Sequence, residues 1–376
     1  MHPGRVKYNI TDISMIVKQP LVSVIITTKN EEKNIGNCLE SILRNIGSKF
    51  LNSYASKSLN FYAPKSLKLY IEIIVVDNNS SDQTKEIARK YTKKVYNFGP
   101  ERSAQRNFGA KKAKGKYLLF LDADMILSLT VIEEIIKKFE VLNSKFETNS
   151  KFPAIGGAGK IKNNILQTSN LKHQTSSINL VALYIPEIVL GNSFWSKVRR
   201  FERSFYDGTV IDCVRAVRKD IFEKVGGFDT SLTGPEDWDF DKKVREQGKV
   251  AVLTSYDFEE INKKLNNRTI EQLSNLTNQP VIYHNEAEFN LKKYLTKKLY
   301  YAKSFEKYIQ KWGKDDPDIK KQFGFWYRYF GVFLENGKWK RFLNYPILAL
   351  GMYFLRGVLG LFYIFSFKIH FLRKIK

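Results

Sequence analysis

The chain has 376 residues, with 62 Lys and Arg against 38 Asp and Glu, a formal net charge of +24 and 43% hydrophobic residues. That length suits one or two packed domains, and the apolar content excludes a disordered chain. Two cysteines, Cys38 and Cys213, are too few for a disulfide framework and lack zinc-site spacing, so both read as small buried residues in a reducing compartment. The surplus of positive charge calls for an acidic partner, and nucleic acid, anionic lipid and phosphorylated small molecules all qualify. The first seven residues, Met-His-Pro-Gly-Arg-Val-Lys, carry no apolar stretch of the secretory kind, which places the folded domain on the cytoplasmic side.

Residues 21–26 (Leu-Val-Ser-Val-Ile-Ile) form a β-branched run that ends in the polar turn Thr27-Thr28-Lys29-Asn30-Glu31-Glu32. A helix to about residue 44 is expected next. A second run, residues 71–76, ends at Asp77-Asn78-Asn79-Ser80-Ser81-Asp82, and Thr84 to Tyr91 reads as helical. A helix from Ser103 to Lys112 precedes the third strand, residues 117–121, which stops at Asp122-Ala123-Asp124. Continuous apolar strands alternating with helices imply a mostly parallel sheet covered on both faces, with ligands bound at the carboxyl ends of the strands. All three acidic turns fall at that edge. The polar stretch 48–68 reads as a surface insert, and 156–159 (Gly-Gly-Ala-Gly) as a strand or turn closely approached by another backbone. Residues 255–280 read as a polar loop or short helix.

From about Glu288 the composition changes. Leu291, Leu295, Leu299, Ala302, Phe305 and Ile309 recur at helical spacing among lysines, which is a basic amphipathic helix. Phe342 to Phe367 contains one charged residue, Arg356, and no acidic residue occurs from Asn336 to the end. At about 1.5 Å per residue such a helix would cross a bilayer of roughly 30 Å. Pro346, Gly351, Gly357 and Gly360 interrupt it and cations flank both ends, so a broken or interfacial segment is as good a reading as a single span. Concentration of the basic surplus beside apolar segments favours an anionic membrane surface over nucleic acid.

Two carboxylates one residue apart at a strand end, Asp122 and Asp124, offer oxygen ligands to a hard divalent cation that also binds phosphate. Asp77 could equally satisfy only its own turn. Taken in order, Val22 to Glu31, Val75 to Thr84, Asn107-Phe108-Gly109 with Leu119 to Asp124, and Gly234-Pro235-Glu236-Asp237-Trp238-Asp239 resemble the family-2 glycosyltransferases over about residues 20–290. These are inverting enzymes with the Rossmann-like GT-A nucleotide-sugar fold. The resemblance implies a GT-A domain over 1–284 and a membrane-associated helical region over 285–376. It also implies a nucleoside-diphosphate sugar donor and a divalent metal, Mg²⁺ or Mn²⁺. It assigns Glu31 and Asp77 to the nucleotide base and ribose, and Arg102, Arg106 and Asn107 to the nucleotide or diphosphate. Thr27, Asn30, Asn79, Asp122 and Glu236 join that donor-binding set. Asp124, with Asp122 as a second candidate, would hold the metal, and His284, beyond an apolar strand, would lie near the metal or diphosphate. Asp237 would be the general base that takes the proton of an acceptor hydroxyl. A phosphate acceptor is already anionic and needs no base. The Glu236-Asp237 pair therefore favours a hydroxyl, such as one on a lipid-linked glycan, with a polyprenyl phosphate as the alternative acceptor and a non-catalytic nucleotide-binding protein of the same fold as the alternative outside catalysis.

Overall fold

The computed structural model describes residues 20–47, 71–144, 179–265, 276–277, 279–285 and 289–374; the expected insert at 48–68 and the glycine-rich stretch at 156–159 lie outside them. The chain runs β1 (Val22–Thr28), α1 (Ile35–Gly47), β2 (Ile71–Asp77), α2 (Thr84–Arg89), β3 (Val95–Asn97), α3 (Arg102–Lys112), β4 (Tyr117–Asp122), β5 (Met125–Leu127) and α4 (Val131–Ser144). It continues through β6 (Leu180–Tyr184), β7 (Glu187–Val189), α5 (Phe194–Arg203), β8 (Ala216–Arg218), α6 (Lys219–Lys224), α7 (Glu236–Arg245), β9 (Lys249–Val252), α8 (Phe258–Leu265) and β10 (Ile282–His284).

A seven-stranded sheet has the order β3-β2-β1-β4-β8-β6-β9. Its β1–β2, β1–β4, β2–β3 and β6–β9 pairs are parallel, and only β8 runs against its neighbours. A smaller sheet of β5, β10 and β7 stands beside it. The apolar runs are continuous because the large sheet is buried on both faces. Val24, Ile26, Val75, Leu119 and Leu121 join one core with α1 and α4, whereas Ile25, Ile74, Val76, Leu118 and Phe120 join another with α6 and α7. Successive residues of one strand thus enter opposite layers, as the two-residue period of a strand requires. Gly109 brings α3 down onto this surface: a Cβ there would lie 2.4 Å from Ile25 Cγ2.

The C-terminal part comprises α9 (Leu291–Ala302), α10 (Phe305–Trp312), α11 (Pro317–Phe323), a π-helical turn Tyr327–Gly331, α12 (Lys340–Asn344) and α13 (Pro346–Lys374). The single amphipathic helix expected from Leu291 to Ile309 is two helices, turning at Lys303 and Ser304. The turn lets the Ser304 hydroxyl accept from Thr233 N at 3.1 Å and seats Tyr308 with Leu232 and Ile319. The interruption expected after Pro346 does not occur, and α13 is one 29-residue helix. Pro346 occupies its first position, where a missing N–H costs nothing and φ is already helical. Gly351 is a contact point, not a break: a Cβ there would stand 2.7 Å from Val198 Cγ2 of α5. Met352 and Leu355 share a core with Phe201 of α5, with Phe205 just beyond it, and with Val332 and Phe333, so this apolar cluster spans the division expected at residues 284 and 285.

Candidate active site

The three acidic turns assemble at the carboxyl edge of the large sheet, and the first two interlock. Asn30 N donates to Ser80 Oγ at 2.8 Å, Asn30 Oδ1 accepts from Ser81 N at 2.9 Å, and Glu31 N donates to Thr84 Oγ1 at 2.8 Å. Asn30 and Asn79 take left-handed backbone conformations, φ 55° and 53°, which asparagine tolerates in turns. The Asn79 N–H donates to Asn97 Oδ1 at 3.0 Å. Asp77 is fully buried, and both of its carboxylate oxygens accept from Ser80, one from the backbone N–H and one from the hydroxyl. Burial raises the Glu31 pKa against a 2.7 Å bond from Asn34, and the charge of Asp124 adds to the rise.

Asp122 is the hub of the third turn. The Thr27 hydroxyl donates to its Oδ1 at 2.9 Å, Arg106 Nη2 lies 3.2 Å away, and Arg102 and Arg215 stand at 3.9 and 4.0 Å. Burial alone would raise this carboxyl, but Arg106, Arg102 and Arg215 outweigh it and hold Asp122 below the usual carboxylate range. Arg106 is 1% exposed and bridges Asp122 to Asp237, whose Oδ1 it meets at 2.7 Å with Nη1. Sequence reading set Arg106 along the nucleotide; the structure makes it a buried strut, because its position on α3 faces α7 and Phe228, whose ring centroid is 5.0 Å from the guanidinium. Asn107, expected beside it on the ligand, has its amide consumed by Phe228, donating to the carbonyl at 2.8 Å and accepting from the N–H at 2.9 Å. It anchors the turn at Gly226-Gly227, both at positive φ, that leads to α7.

Glu236 and Asp237 open α7, where an acidic first turn complements the helix dipole. Glu236 is buried, with Arg102 Nη2 2.8 Å from its Oε1 and the Gly234 N–H on its Oε2. Burial, then the charge of Asp237, raises its pKa against Arg102 and Arg106. Asp237 is partly exposed. It lines a cavity of about 630 Å³ shared with Trp238, Tyr301 and the C-terminal helices.

The antiparallel pairing of β10 with β5 aligns His284 with Met125 and so brings His284 Nε2 to 3.2 Å from Asp124 Oδ2. Asp124 Oδ1 is buried without a hydrogen-bond partner among the described residues. Behind the imidazole, Nδ1 lies 3.8 Å from Glu187 Oε2, and Glu187 is itself paired with Arg215 at 2.6 Å and Arg203 at 3.3 Å. These guanidiniums hold Glu187 well below its ordinary pKa despite its burial. Glu187, Arg203 and Arg215 form a supporting layer that sequence reasoning missed, because none sits in a recognisable turn; the one available signal was a charge inside the otherwise apolar runs around 185–190 and 213–217. Among the described residues no group of three or more His, Cys, Asp or Glu converges on one point. A hard cation bound through one or two protein groups plus substrate phosphates does not require one. The orphaned Asp124 oxygen beside an imidazole buttressed by Glu187 fits such an ion; Asp122, already paired with arginines, fits it less well.

The model of the glycosyl transferase family 2 matches residues 23–226, more than half of the chain. The chain belongs to this family, and its architecture is the Rossmann-like GT-A fold. It is 38% identical over 112 residues to the glycosyltransferase AglE of Haloferax volcanii, covering 28% of this chain and 31% of that protein. It is 29% identical over 127 residues to the uncharacterized glycosyltransferase EpsJ of Bacillus subtilis, covering 32% of this chain and 31% of the relative. The match therefore spans about a third of the length of each of these relatives. Among solved structures, the mannosyltransferase PcManGT from Pyrobaculum calidifontis, in complex with GDP-Man and Mn²⁺, is similar at 15% identity with a TM-score of 0.46, over 91% of this chain and 75% of that one.

Proposed function

We propose that the protein is an inverting, metal-dependent glycosyltransferase that moves a sugar from a nucleoside-diphosphate sugar to a hydroxyl of a membrane-associated acceptor such as a lipid-linked glycan. The observation that carries this reading is the chain of ion pairs running from Asp237 through Arg106 to Asp122, beside the Asp124–His284 pair, at the ligand-binding edge of the sheet. Arg106 holds Asp237 Oδ1, so Oδ2 takes the proton of the acceptor hydroxyl. The acceptor oxygen bonds to the anomeric carbon as the bond from that carbon to the diphosphate oxygen breaks. The nucleoside diphosphate leaves with the electron pair, and one displacement inverts the anomeric centre. The interlocked loops carrying Asn30, Glu31, Asp77 and Asn79 give the nucleotide a rigid seat. Asp124 and His284 would hold a divalent cation, which would supply Lewis-acid stabilisation of the departing diphosphate.

Membrane association rests on α13. Its Pro346–Tyr363 window is apolar enough for a span, yet Met352, Leu355 and Arg356 face α5 and are buried. Ile347, Leu350 and Phe354 are 68%, 72% and 59% exposed on the other side. A helix with one side committed to the catalytic domain and an apolar stripe on the other lies in the interface plane, with the exposed Lys340 toward anionic headgroups. The test of the donor reading is a thermal-shift screen of nucleotide sugars with and without Mg²⁺ or Mn²⁺. Stabilisation by one nucleotide sugar only when the cation is present is expected; no donor response under either condition would refute it.

A further inference from the structure

The cavity that begins at Asp237 contains a second cluster of charge that the transfer reaction does not use. Arg199, Lys298, Arg328 and Arg356 line it, drawn from α5, α9, the π-helical turn and α13; of the three carboxylates in the lining, Glu187, Glu202 and Asp237, it is Glu202 that pairs with this cluster. Glu202 is fully engaged, with Arg199 Nη1 at 2.6 Å, Arg356 Nη2 at 2.9 Å and the Tyr206 hydroxyl at 2.8 Å. Arg328 Nη1 is buried without a hydrogen-bond partner among the described residues. Lys298 makes no ion pair among the described residues, and its ammonium stands 5.6 Å from the Tyr294 ring centroid. Burial and the charges of Arg199, Arg328 and Lys297 push its pKa down to about 7, with Glu202 opposing. Several like charges gathered where water is scarce are costly unless an anion joins them. The same cavity is lined by Asp237 and Trp238 and by the apolar or aromatic side chains of Leu359, Tyr363 and Phe325. Phe325 adjoins Trp326, which is 75% exposed.

From this placement, and resting on the acceptor reading above, we infer that Arg199, Lys298, Arg328 and Arg356 bind the phosphate or diphosphate ester of an amphiphilic acceptor, whose sugar hydroxyl reaches Asp237 and whose hydrocarbon chain follows α13 outward. The same phosphate chemistry could come from a soluble ester, but the apolar rim assigns it to a lipid. Asp237 is itself bonded to Arg106, so the cluster anchors a phosphate that is not the nucleophile.

The test uses the full chain in detergent, titrated with phosphatidylcholine vesicles carrying a polyprenyl diphosphate, with the same vesicles carrying the free polyprenol, and with inorganic pyrophosphate. Wild type should prefer the diphosphate vesicles over the polyprenol vesicles by about tenfold or more, the scale of one charge-assisted contact. Lys298→Gln with Arg328→Gln should abolish that preference. Lys298→Gln alone, which breaks no hydrogen bond or ion pair of the structure, should reduce it should the double variant fail to fold. Equal binding of the two vesicles by wild type, or an unchanged preference in a folded variant, overturns the site. Pyrophosphate binding as tightly as the diphosphate vesicles overturns the assignment to lipid. Nucleotide-sugar binding is read separately: its loss with vesicle selectivity intact would sink the transferase reading and leave the anion site standing.

Discussion

Replacing Arg106 with Met removes the cation that ties Asp122 to Asp237 while filling much of the same volume. Breaking a buried ion pair by deleting one partner costs about 3–5 kcal/mol, because the other charge stays buried without its counter-ion. Here Asp122 keeps Arg102 at 3.9 Å, Arg215 at 4.0 Å and the Thr27 hydroxyl at 2.9 Å, which places the loss at the low end, about 3 kcal/mol. Urea unfolding followed by far-ultraviolet circular dichroism measures it, and Asp122→Asn combined with Arg106→Met should show a coupling of about 1–3 kcal/mol. The pH dependence carries the same sign. The folded Asp122 carboxyl lies below its ordinary range, so its contribution is complete above about pH 4 and is lost as pH falls toward the folded value. In Arg106→Met that folded value rises, and acid unfolding should begin at higher pH. A loss below about 1 kcal/mol for Arg106→Met, with no coupling to Asp122, would refute the hub.

Gly109→Ala forces a methyl to within 2.4 Å of Ile25 Cγ2 and should cost about 1–3 kcal/mol in a chemical melt; a neutral result would mean α3 can move away from β1. Asp124→Ala should abolish the cation-dependent part of donor binding in calorimetry, and metal-independent donor binding by the wild type would remove the metal from the mechanism. Ile347→Glu with Leu350→Glu places charge on the exposed stripe of α13. Since each large side chain contributes about 1.5–3 kcal/mol on burial in apolar surroundings, flotation with anionic liposomes should fall about tenfold or more. Unchanged flotation would show that this face does not meet lipid.

The strands β1, β2 and β4 were legible because burial on both faces turns a strand into an unbroken apolar run, and the polar turns after them mark the ligand-binding edge. β7, β8 and β10 have three residues each, too few for a period to show. For that reason neither the antiparallel run of β8 nor the placement of Glu187 behind His284 by β7 was legible. Asn107 and Arg106 were visible as polar residues beside a motif, but which way a helix points them is decided by packing: α3 turns both toward α7 and Phe228. The glycines of α13 were misleading in the same manner. Their composition signals a break, yet Gly351 serves a close approach by α5, and the helix continues through it.

The measurement that bears most directly on the mechanism is single-turnover transfer to a hydroxyl acceptor by Asp237→Asn, with donor affinity determined on the same protein. Asparagine retains the size of the side chain and an acceptor for Arg106 but cannot take the proton. Transfer should therefore fall by about 10²–10⁴-fold while donor affinity stays near wild type and the melt falls only modestly, because Arg106 keeps Asp122 at 3.2 Å. Transfer within a few-fold of wild type would contradict Asp237 as the base and move the acceptor to a phosphate, which needs none.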